Sequence, residues 1–198
     1  MTLDSVSRRS VLKSLTIGAA AGSVLSVIPM QAAEHIHNSI EEEKMETSGV
    51  YTPKYFDAHE FKTLQMLCET IVPADADSGG AIEAGAPDFI DLLTSENKTY
   101  QATLGGGMKW LEAECTKRYG KVYLDSTPAE QKEILDLIAF RKNAEADPSL
   151  MQGVQFFSLL RDLTSDGFFT SKIGIKYLGY KGNTYRLDFP GCPPVPGV

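Results

Sequence analysis

The sequence is poor in the side chains that hold redox cofactors. Its 198 residues include three cysteines and three histidines. Cys68, Cys115 and Cys192 lie far apart, and no C-x-x-C or C-x-x-C-H occurs. That spacing excludes the usual iron–sulfur motifs and c-type haem attachment. There is no P-loop. Gly105-Gly106-Gly107 lacks the G-x-G-x-x-G spacing and follows a helical pattern instead of a strand, so no dinucleotide fingerprint is present. His35-x-His37 is the one closely spaced ligand pair, and it falls in a stretch that reads as a linker, a poor place for a metal site. No strand-like alternation of any length occurs. Positive charge is also short: 19 Lys and Arg stand against 26 Asp and Glu, for a net charge of −7. Nucleic acid is therefore not an expected partner, because its binding depends on Lys and Arg at phosphates. Paired-carboxylate catalysis leaves no local trace in a sequence and stays open.

What is there begins with an address. Ser7-Arg8-Arg9-Ser10-Val11-Leu12-Lys13 resembles the twin-arginine export consensus, with Val11-Leu12 in place of the commoner Phe-Leu. An apolar stretch, Leu15 to Ile28, follows. It is rich in Gly, Ala and Ser, and suits an export leader better than a membrane span, which needs about 20 strongly apolar residues. Residues 1–33 therefore read as a signal peptide, with Arg8 and Arg9 as the export signal. The leader could be cut after Ala33, cut elsewhere, or kept as an anchor. Asp4 against Arg8, Arg9 and Lys13 leaves it at +2, and the remainder of the chain at −9. That acidity suits solubility or a cationic partner. The twin-arginine route carries folded proteins, typically loaded with a cofactor. A folded-cargo signal on a chain without a cofactor motif suggests that the leader serves a larger partner.

Residues 34–52 read as a polar, acidic linker, with Glu41-Glu42-Glu43 a solvated run. From residue 53 onwards the pattern is helical, and hydrophobic content of 42% is enough for a core. Asp57 and Glu60 form a capping-box pair ahead of Phe61, Leu64, Leu67, Cys68, Ile71 and Val72, and Pro73 ends that helix. A short helix is expected over about Pro87 to Leu93, and a third over about Tyr100 to Tyr119. Three central glycines weaken the third by about 1 kcal/mol each or allow another element close approach. Thr127, Pro128 and Glu130 start a fourth, with Ile134, Leu135, Leu137 and Ile138 inward. Asp147-Pro148 opens a fifth to about Thr164, burying Leu150, Val154, Phe157, Leu160 and Leu163. The fold class is mainly α: a small irregular helical bundle with an extended Gly/Pro/aromatic C-terminal tail over about 164–198. Phe168, Phe169, Tyr177, Tyr180, Tyr185 and Phe189 give the tail much apolar area. It could wrap over the helices or form half of an interface.

The tail carries a resemblance. Asp166-Gly167-Phe168-Phe169-Thr170-Ser171-Lys172, Gly174, Leu178-Gly179-Tyr180-Lys181-Gly182-Asn183 and Pro190-Gly191-Cys192-Pro193 are similar to the C-terminal signature of the gluconate 2-dehydrogenase subunit 3 family. The opening helix to Pro73, the Gly-rich loop after it and the twin-arginine leader also resemble that family. The resemblance implies a non-catalytic accessory subunit of a periplasmic oxidoreductase complex. The expected partner is a large FAD-dependent subunit of the glucose-methanol-choline type, acting on a sugar, sugar acid or glycoside. A c-type cytochrome with haem c is a further partner, and the twin-arginine translocase exports the assembly. The small subunit itself holds no cofactor, metal or catalytic residue. It supplies the export signal and supports the large subunit. The alternatives are a stand-alone periplasmic enzyme and a binding or scaffold protein.

Candidate interface residues are Phe168, Phe169, Lys172, Tyr177, Tyr180, Asn183 and Cys192. Gly182-Asn183 also suits a simple turn. Cys68 and Cys115 fall on apolar helical faces, where buried free thiols are preferred to a mutual disulfide. Cys192, in Pro-Gly-Cys-Pro-Pro, is an odd cysteine in an oxidising compartment. An intersubunit disulfide, a bond to Cys68 or Cys115, and a free thiol are its alternatives.

Overall fold

The computed structural model describes residues 28–47 and 49–182. Among them there is no strand, and helices form a bundle, as the periodicity predicts. The helices are α1 (Met30–Glu46), α2 (Ala58–Ile71), α3 (Ala86–Glu96), α4 (Gly106–Tyr119), α5 (Pro128–Ile138), α6 (Arg141–Ala146), α7 (Met151–Phe169) and α8 (Lys172–Tyr177). A turn at Lys98–Tyr100 and a π-helical segment at Gln101–Gly105 lead into α4. The α7 helix is the hub, packing against α2, α3, α4, α5, α6 and α8.

Local signals set most of these boundaries. Asp57 accepts from the backbone N–H groups of His59 and Glu60, while Glu60 reaches back to Asp57, so the capping box predicted for α2 is closed. Thr127 and Glu130 do the same for α5, with Pro128 in its first turn. Leu64, Leu67 and Cys68 from α2, Leu104, Met108 and Leu111 from the π segment and α4, and Ile134 and Ile138 from α5 fill the core. On α7, Leu150 just before it and Val154, Leu160 and Leu163 are buried as expected. Phe156 is the buried aromatic of that helix, and Phe157 is only partly covered. The α7 helix also runs on to Phe169, past the predicted end at Thr164, and α8 follows at once.

The glycines before and within α4 admit close approach instead of simply weakening the helix. A Cβ on Gly107 would stand 2.2 Å from Cγ of Phe156, and one on Gly105 would stand 2.4 Å from the Tyr55 hydroxyl. On α7, a Cβ at Gly153 would meet the Trp110 ring at 2.4 Å. The α4–α7 crossing thus interlocks an aromatic ring from each helix with a glycine on the other.

The stretch read as a polar linker is a correction. Residues 30–46 form α1, a four-turn helix whose Ala33, Ile36 and Ile40 share one face and are buried. Glu41-Glu42-Glu43 is not simply a solvated run. Glu41 pairs with Lys172 at 2.7 Å and Glu43 with Lys54 at 2.5 Å, while Glu42 remains exposed. Three buried apolar residues in seventeen are too few to dominate the sequence pattern. They suffice because α3 offers a prepared surface and because Ala, Gln, Met, Glu and Lys favour helix.

Candidate partner-binding face

The α3 helix organises the end of the molecule that carries the family-like signature. Its stretch Ala-Pro-Asp-Phe-Ile-Asp-Leu-Leu-Thr, residues 86–94, is buried throughout, including both aspartates. Such burial requires partners, and each carboxylate has them. Asp88 meets Lys44 of α1 at 2.6 Å. Burial pushes the Asp88 carboxyl above its ordinary range, with Lys44 opposing the shift. Asp91 accepts from the Tyr51 hydroxyl at 2.9 Å and from the backbone N–H groups of Lys54 (2.6 Å), Tyr55 (3.1 Å) and Phe56 (2.9 Å). One carboxylate therefore fixes the whole segment that joins α1 to α2.

This constellation was not among the residues singled out in the sequence. A signal did exist: two Asp residues inside an otherwise apolar helix need buried partners. Which partners they take is decided by distant residues: Lys44 for Asp88, and residues 35 to 40 positions earlier in the chain for Asp91.

His37 of α1 stacks on Phe89 of α3 with ring centroids 5.0 Å apart and lies 3.0 Å from the Thr170 hydroxyl. Desolvation by burial holds its pKa below 6.5, against the opposing pull of Glu41. The His35-x-His37 pair is thus split by the helix, and among the described residues no group of three or more His, Cys, Asp or Glu could hold a metal.

The signature residues meet α1 here. Ser171 caps α8 by accepting from the Gly174 N–H. A Cβ at Gly174 would lie 2.1 Å from the Phe168 carbonyl oxygen, so α8 can fold back on the end of α7 only with glycine there. Among the predicted interface residues, Phe168 points inward at 2% exposure and packs edge-on against Phe169 at 5.1 Å. Its side chain is core, which removes it from any direct contact surface. Phe169 is exposed at the rim, and Tyr177 (51%), Leu178 (59%) and Tyr180 are exposed beyond it. Lys172 is at the surface, with its ammonium on Glu41. Together with Met30 at the start of α1, Phe169, Leu178 and Tyr180 line an open groove of about 930 Å³. Large exposed apolar side chains gathered on one face of a small domain make that face a candidate interaction surface. Arg8, Arg9, Tyr185, Phe189, Asn183 and Cys192 lie outside the described residues.

Cys68 and Cys115 are buried free thiols. Burial raises the Cys68 thiol to about 12 and the Cys115 thiol to about 11, so neither offers a thiolate nucleophile near neutral pH. Cys68 packs as a small apolar residue and receives the Thr164 hydroxyl at 3.5 Å.

These features define a small all-helical domain with one exposed aromatic end. The chain belongs to the gluconate 2-dehydrogenase subunit 3 family, whose model matches residues 58–191. The family is a subunit of a dehydrogenase complex. No curated protein and no solved structure matches the chain.

Proposed function

We propose that this protein is a non-catalytic accessory subunit of a periplasmic FAD-dependent sugar, sugar-acid or glycoside dehydrogenase. Its large partner is of the glucose-methanol-choline type. The observation that carries the reading is the exposed aromatic end formed by Phe169, Tyr177, Leu178 and Tyr180, in a chain that belongs to a dehydrogenase-subunit family. The twin-arginine leader exports the folded large subunit together with this one. Lys172, beside that end, and Asn183, further along the signature sequence, contribute to the same interface. Cys192 forms a disulfide with the large subunit and locks the pair after export. FAD resides in the large subunit, and a c-type cytochrome with haem c accepts the electrons.

Co-purification tests the proposal. A C-terminally tagged chain isolated from its native host should bring down a yellow complex containing a flavoprotein of several hundred residues. Changing Arg8 and Arg9 to Lys should remove both proteins from the periplasm. A colourless chain purified alone would refute the accessory-subunit reading. The Tyr177→Ala and Leu178→Ala pair should lose the flavoprotein while melting normally, because exposed substitutions shift stability by only about 0.5 kcal/mol. Non-reducing electrophoresis should show a joined band that Cys192→Ser abolishes.

A further inference from the structure

The apolar leader stretch runs to Ile28, and Ala32 and Ala33 are acceptable final residues for a leader, although Met30 or Gln31 stands where a small residue is usual. The structure places both inside the folded domain. Ile28 is 6% exposed and belongs to the core. Pro29 stands at the N-cap of α1, and its carbonyl oxygen accepts from the N–H groups of Ala32 (2.9 Å) and Ala33 (3.0 Å). Ala33 is fully buried, one turn before Ile36 on the same face. A protease requires an extended, accessible strand, so cleavage after Ala33 needs the first turn of α1 to unwind and leave the core. Cleavage would also remove Ile28 and place a new ammonium at Glu34, beside the positive end of the shortened helix.

We infer that residues 28–33 are part of the folded domain and stay attached to it on export, so the bond after Ala33 is not a processing site. The processing consequence rests on the export reading above. On a route that carries folded cargo, the α1 turn is already packed when a signal peptidase on the far side meets it. Any cut falls before Ile28, or the leader stays. The retained segment has a role beyond length: Ile28 and Met30 line the groove beside Phe169 and Leu178, so the same residues help to build the proposed docking face.

Two measurements test the inference, and they fail independently. The first is the N-terminal sequence and intact mass of the full chain recovered from the periplasm of its host. A first residue at or before Ile28 is expected, and a first residue beyond Ile28 overturns the inference. The second does not depend on export. In the purified full chain, Ala33→Asp should lower the melting temperature by about 5 °C or more, because it buries an unpaired carboxylate. Gln31→Asp, two residues earlier on the exposed face, should leave it within about 2 °C. Equal effects of the two would show that this turn is not packed and would overturn the inference. If the arginine variants still reach the periplasm, the export reading fails, and the melting comparison still decides whether the first turn of α1 belongs to the fold.

Discussion

Replacing Asp91 with Asn tests the idea that one buried carboxylate holds the α1–α2 connection. One oxygen of Asp91 takes the Tyr55 and Phe56 N–H groups, and the other takes the Tyr51 hydroxyl and the Lys54 N–H. An amide can reproduce only part of this. With its oxygen on Tyr55 and Phe56, its NH₂ faces Tyr51 and Lys54. The hydroxyl can rotate and accept, but the Lys54 N–H cannot, so two donors are forced together. A lost hydrogen bond to a charged group costs about 1.5–3 kcal/mol, and the remaining three bonds fall from charged to neutral strength. The total is about 3–5 kcal/mol. In a chain of about 150–250 residues each kcal/mol moves the melting temperature by about 2–4 °C, so a fall of at least about 6 °C is expected. Tyr51→Phe removes a single bond to the same carboxylate and should cost about 1.5–3 kcal/mol. Thermal unfolding followed by circular dichroism of the purified full chain measures both. An Asp91→Asn protein that melts within about 3 °C of the parent, or above the Tyr51→Phe variant, would refute the clamp.

Gly107→Ala should lose about 1–3 kcal/mol or more, because the new methyl meets the Phe156 ring at 2.2 Å, whereas Gly106→Ala meets only the flexible end of Gln152 at 3.1 Å and should be neutral or gain up to about 1 kcal/mol; chemical denaturation of the two variants separates these outcomes. His37 gives a pH dependence. Burial lowers its folded pKa below 6.5, so the unfolded chain takes up the proton first, and stability falls as pH drops from about 6.5 toward the folded value. A His37→Asn variant should show a flatter melting-temperature profile across that window, and an unchanged slope would remove His37 as its source.

Much of this fold is written locally. The capping boxes at Asp57–Glu60 and Thr127–Glu130 are complete within four residues, and the apolar spacing of α2, α5 and α7 is read from a few turns of chain. The interface candidates were legible in a coarser way. An aromatic-rich signature marks the end of the molecule where large apolar side chains are exposed, but composition does not separate Phe168, which is core, from Phe169, which is rim. Neighbouring residues on a helix point about 100° apart, and only the position of α8 decides which of the two is covered.

The sequence by itself determined a helical chain with an acidic surface and no cofactor motif among its local patterns, because caps, periodicity and ligand spacing act over a few residues. Tertiary structure alone decided that residues 30–46 are helix and that Asp91 is a clamp. It also decided that Gly107 and Gly174 are points of close approach. Each of these depends on a surface supplied from elsewhere in the chain. A helix that buries only three apolar residues is marginal in water and becomes stable only against a partner face, and a buried carboxylate is tolerable only where distant N–H groups converge on it.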